Sequence, residues 1–209
     1  MQQPDLQPPD IDGLFETLRA AEPDVMDADE LIALTRQIAH LKGWCDSLQV
    51  RATRRQRALA AEGHADNPRH TLSRHGLQSS RHARAAAERE RMCASMPAFE
   101  SALMAGSISS GHIDAMERAT RNLDDDLAAE FTARADDLLA DATRLGVDPF
   151  ERACRDLIRH LISSAPGVSE DDELDHQRAS SRVRRWVDEQ TGMCHTHLEL
   201  DPVRDRTLW

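Results

Sequence analysis

Apolar residues recur along most of this chain at three- and four-residue steps, the spacing of one face of an α-helix. The longest run is Leu31, Leu34, Ile38, Leu41, Cys45, Leu48 and Ala52, continuing to Leu59. Asp27 and Glu30 stand just ahead of it in a capping-box pattern, in which the two side chains satisfy each other's backbone N–H groups. Together they predict a helix of about thirty residues with a single apolar stripe. Gly43 lies inside it and weakens it only modestly.

Around this helix the punctuation predicts shorter ones. Residues 1–12 read as a lead-in without structure, and Asp12–Glu22 as a short helix ended by Pro23. Residues 62–74 carry Gly63, Asn67 and Pro68 and read as a loop. Ser79 or Ser80 caps a helix to about Ser95, Pro97 opens another that ends at Gly106, and Ser109 caps the next. One further helix is expected from Asn122 or Asp124, with Leu127, Phe131, Leu138, Ala142 and Leu145 on one face. Gly146 closes it, and Asp148-Pro149 restarts a last one with Phe150, Leu157, Ile158, Leu161 and Ile162 inward. Pro166-Gly167 and the acidic run after it mark a linker. Val183 to Val187, a turn at Gln190-Thr191-Gly192 and the strand MCHTHLEL then predict a β-hairpin, followed by a helix from Asp201. The stop at Trp209 inside that helix predicts that it continues. The fold expected is mainly α: a multi-helix bundle with one long N-terminal helix and a C-terminal β-hairpin. The expected divisions are 1–26, lead-in and short helix; 27–165, helical domain; and 166–209, linker, hairpin and the first part of a helix.

Charge sharpens the picture. The chain carries a net −11, yet Arg51 to Arg91 holds ten arginines against four carboxylates, with His64, His70, His75 and His82 interleaved. Such asymmetry can form one basic face on an acidic body, or the acidic flanks can fold back and neutralise it. Arg51, Arg54, Arg55 and Arg57 near the end of the long helix, with Arg74, Arg81, Arg84 and Arg91 beyond it, are candidate contacts to DNA phosphates. The stretch SALMAGSISSGHIDAMERAT carries Ala102 four residues before Gly106 and reads as a helix-turn-helix or as a plain helical corner. Its second helix opens with Ser110, Gly111 and His112, so His112 is the candidate contact at that corner.

Chemistry is sparse. Cys45, Cys93, Cys154 and Cys194 are too far apart for a metal-ligand motif, and the first three sit in apolar registers, which predicts reduced, buried thiols. Cys194, His195 and His197 do not complete a metal site, because in a strand Cys194 points away from the two histidines. Nucleophile–base pairs and phosphate-cradling glycine loops are lacking. The N-terminus is polar and proline-rich, and no apolar run approaches a membrane span; a cytoplasmic protein with no membrane partner is expected.

The order of motifs adds a family resemblance. HGLQSSRHARAAAERERMCASMPAFESALMAGSISSGHIDAMERA, followed by RVRRWVDEQTGMCHTHLELDPVRDRTL, resembles the bacterial domain-of-unknown-function family 222, the thirteen-E-twelve repeat family, across roughly residues 28–209. The features that carry it are the Met96-Pro97 junction, the Gly106-Ser107-Ile108-Ser109 turn with His112, and the Gly192-Met193 hairpin leading to Leu200-Asp201-Pro202. The resemblance implies a helical domain ahead of an HNH endonuclease module, hence a link to double-stranded DNA and to mobile elements. It supplies no catalytic residue: Asn67 and Asn122 are the only asparagines, and no CxxC pair occurs. No cofactor is expected in this chain, and a divalent metal only with a following nuclease module. The alternative is a helical interaction module whose long amphipathic stripe makes a homodimer or docks a partner.

Overall fold

A computed structural model of the chain describes residues 10–164, 178, 181–189 and 191–208. The protein is mainly helical, with one long helix near its N-terminus and a C-terminal hairpin. It divides into two compact units, the first ending at Ile158 and the second beginning at Arg159. The lead-in before residue 10 and the linker after Ala165 lie outside the described residues.

In the first unit α1 (Ile11–Ala20) packs along α2 (Ala28–Ala61). The capping box forms as the residues predict: the Asp27 carboxylate accepts from the Glu30 N–H, and the Glu30 carboxylate from the Asp27 N–H, both at 2.9 Å. The face that α2 buries is not the leucine stripe. Gly43, Ser47, Val50 and Thr53 are buried, whereas Leu31, Ile38, Cys45, Leu48 and Ala52 are exposed. The cause is close backbone approach. A Cβ on Gly43 would come within 2.6 Å of the Leu103 carbonyl oxygen, and one on Gly106 within 2.7 Å of the His40 Cα. Only a face of small residues admits that distance, so this face of α2 sets the contact. Cys45 is therefore an exposed thiol, contrary to its apolar register, while Cys93 and Cys154 are buried.

α3 (Pro68–Arg74) occupies what reads in sequence as loop; Asn67 caps it, its side chain accepting from the Arg69 N–H, and Pro68 is its first residue. α4 (Ser80–Ser95) is capped by Ser79, and α5 (Pro97–Met104) starts at the expected proline. Gly106 turns the chain at φ +68 into α6 (Ser110–Thr120). The next expected helix is two, α7 (Asp125–Thr132) and α8 (Ala135–Arg144), separated at Ala133-Arg134. That break contains no glycine or proline, so the apolar pattern reads through it. α9 (Val147–Ser164) follows.

Small residues bring these helices together. α4 turns Ala83, Ala86 and Ala87 inward, and packs against α2, α3, α5 and α6. The core adds Phe99 and Leu103 from α5, Ile113 and Met116 from α6, Phe131, Leu138, and Phe150 with Cys154 from α9. Burial pushes the Cys93 and Cys154 thiols up to about 12.

In the second unit β1 (Arg182–Val187) pairs antiparallel with β2 (Cys194–Glu199), Val183 opposite Leu198 and Trp186 opposite His195. Asp201 caps α10 (Pro202–Leu208), accepting from the backbone of Val203 and Arg204 at 3.0 Å. Among the described residues no helix is long and apolar enough to cross a membrane.

Candidate nucleic-acid interface

The ten arginines of residues 51–91 divide into two sets. One set is spent inside the protein. Glu90, on α4, is only 4% exposed, and receives the Arg57 Nε at 2.7 Å and an Arg54 contact at 3.5 Å. Arg57 also donates to the Ala87 carbonyl at 2.9 Å, and Arg54 spans Glu90 and Glu100. Glu88 is held from two sides by Arg69 and Arg91. Arg89 makes a two-pronged contact with Asp114 of α6, at 3.0 and 2.9 Å. Arg54, Arg57 and Arg91, three expected phosphate contacts, are thus occupied by carboxylates of the same molecule. These pairs do structural work, because a carboxylate as buried as Glu90 is costly without a partner.

The other set is free. Among the described residues Arg51, Arg55, Arg74, Arg81 and Arg84 have exposed side chains and no ion-pair partner. Arg51 and Arg55 lie on α2, Arg74 ends α3, and Arg81 and Arg84 are neighbours on one face of α4. The loop from α3 to α4 carries Leu77, 91% exposed and in the left-handed region at φ +53.

Arg81 and Arg84 line a groove of about 560 Å³ between α4 and α6. Arg118 and Arg121 line it from α6, with His82, Glu88, Asp114 and Glu117. Arg118 donates to Glu151 of α9 at 2.6 Å, a hydrogen bond that holds the Glu151 carboxyl below its ordinary range, and Arg121 donates to Glu117. Sequence alone does not single out Arg118, or Arg121 at the C-cap of α6, because both fall beyond the basic segment and beside acids.

His112 does not reach a ligand surface. It is 7% exposed, its Nδ1 accepts from the Ser109 N–H at 3.1 Å, and its Nε2 faces the Leu145 carbonyl at 3.0 Å. That network assigns the proton to Nε2. His112 takes the return arm of a capping box, where Glu or Gln usually sits, and ties α6 to the end of α8. The corner itself is also covered. The turn abuts α2, and on α6 Ile113, Ala115 and Met116 are buried while Asp114 and Arg118 are clamped from α4 and α9. The stretch is a helical corner whose turn packs on α2 and whose second helix buries one face in the core, while its other face lines the groove.

Among the described residues no group of three or more His, Cys, Asp or Glu side chains is placed to hold a metal ion. His195 stacks on Trp186 at 5.2 Å, and His197 lies 3.3 Å from Glu199. No family model, curated protein or solved structure matches the chain.

Proposed function

We propose that the chain is the helical, non-catalytic part of an HNH-endonuclease-like protein and helps to position double-stranded DNA by sequence-independent contact with its backbone. The observation that carries this reading is the pair Arg81 and Arg84, which line the groove with no ion-pair partner, with the exposed and unpaired Arg74 at the end of α3. The ordered family motifs supply the biological context. Any divalent metal would come with a nuclease module, since no metal-holding group occurs among the described residues. With few free guanidinium groups and a net charge of −11, contact is weak and confined to a few phosphates. Three phosphate contacts give a log–log salt slope of about −3, and the double substitution Arg81→Ala, Arg84→Ala flattens it by about 2. Fluorescence anisotropy with a labelled duplex measures both. No signal at low ionic strength rejects the proposal.

A second reading is favoured by a separate observation. The leucine stripe of α2 faces away from the domain's own core, as the docking face of a helical assembly module does.

A further inference from the structure

The apolar face of α2 repeats every seven residues. Leu31, Ile38, Cys45 and Ala52 hold the first position of each heptad, and Leu34, Leu41 and Leu48 the fourth. This alternation of three- and four-residue steps is the seam of a helix pair, narrower than the face a helix lays on a globular core. α1 lies along α2 but closes the seam only in part: Leu34 and Leu41 are half-buried, while Leu31, Ile38 and Leu48 remain 41%, 42% and 46% exposed. The rest of the first unit holds the opposite side, through Gly43, Ser47, Val50 and Thr53.

Charge indicates the occupant. α2 starts with Asp27, Asp29 and Glu30, and carries the unpartnered Arg51 and Arg55 toward its other end. A parallel second copy would set acids beside acids and arginines beside arginines. An antiparallel copy sets each acidic start against a basic end, twice by symmetry. One register satisfies seam and charge together. Leu31 meets the partner's Leu48, Leu34 the partner's Cys45, and Ile38 the partner's Leu41, while Glu30 falls opposite the partner's Arg51. We infer that α2 pairs antiparallel with α2 of a second copy in this register. The inference rests on the second reading above and is independent of DNA. It also assigns Arg51 and Arg55 to the dimer, leaving Arg74, Arg81 and Arg84 for phosphates.

The test uses the whole chain carrying Cys194→Ser, which leaves Cys45 as its exposed thiol among the described residues. Sedimentation equilibrium is expected to give twice 23.4 kDa. Ile38→Glu with Leu48→Glu is expected to give a monomer of unchanged helicity, since both side chains are exposed. Oxidation is expected to leave the parent uncrosslinked, because its two Cys45 residues lie about 16 Å apart along the antiparallel seam. Adding Leu34→Cys then yields a disulfide-linked dimer. A chain that stays monomeric overturns self-association and leaves the DNA proposal to its own titration. A Cys45–Cys45 dimer in the parent overturns the antiparallel register. If Leu34→Cys fails to fold, Arg51→Glu decides: it sets a carboxylate beside the partner's Glu30 and weakens the dimer about tenfold at low salt, whereas unchanged affinity overturns the register.

Discussion

Residues 10–42 and residues 43–158 are both helical, and they are held by different physics. No residue from Asp10 to Lys42 is buried, while the following body encloses a core of phenylalanines, methionines and alanines. The arm exposes Phe15, Val25, Leu31, Ile32 and Ile38. Helices in the body are stabilised by tertiary burial. The arm relies on its caps and on the contact between α1 and α2, and a helix as short as α1 is marginal alone. The comparison teaches that α2 changes role along its length, from the rib of a core to an extension that leaves apolar side chains exposed.

Alkaline pH should separate the two regions most strongly. Cys93 and Cys154 both sit in the body, and burial raises them from 9.0 to about 12. In the unfolded chain they ionise first, so their stabilising contribution is complete below about pH 9 and is lost as pH rises toward 12. Over that window the slope is about 1.4 kcal/mol per pH unit for each thiol. The chain has no tyrosine, so thiolate absorbance in the ultraviolet is free of tyrosinate. Loss of helicity is expected to coincide with the appearance of those thiolates. With the exposed Cys45 and Cys194 replaced by serine, thiolates forming near pH 9 in a still folded protein would contradict the burial argument.

Next in size is the ion-pair network. Arg57→Ala leaves Glu90 buried beside only the more distant Arg54, and should cost about 3–5 kcal/mol in urea unfolding. Ile38→Ala on the arm, measured at concentrations where the chain is monomeric, should cost less than about 1 kcal/mol. Similar costs for both would erase the distinction between body and arm.

These differences were unequally legible. Caps are written within four residues, so Asp27 with Glu30, Ser79, Pro97 and Ser109 mark helix starts that the structure places within a residue. Asn67-Pro68 carries the same chemistry, yet the nearby glycine and polar residues read as loop and mask the short helix α3. Periodicity finds an apolar face without saying what covers it. On α9 the face of Phe150, Cys154 and Ile158 is buried, whereas on α2 the apolar face is open, because Gly43 and Gly106 bring backbones together on the other side. The candidate interface was the least legible. Arg57 meets Glu90 across 33 positions, and Arg89 meets Asp114 across 25. Only the fold decides which guanidinium groups are consumed and which stay free. His112 was legible in part: its reach to the Ser109 N–H is local, but its bond to Leu145 is not.

The smallest effect falls on the arm's own support. Asp27→Ala removes one half of the capping box and should cost about 1 kcal/mol. Its signature differs from that of Arg57→Ala. With no buried residue before Gly43 to transmit the loss, amide exchange should quicken in the first turns of α2, while the amides of α4 and α6 keep their protection. If α2 pairs with a second copy, the same turns lie against the basic end of the partner helix, and raising the protein concentration should restore their protection. Exchange that quickens evenly across arm and body would mean that the two regions unfold as one.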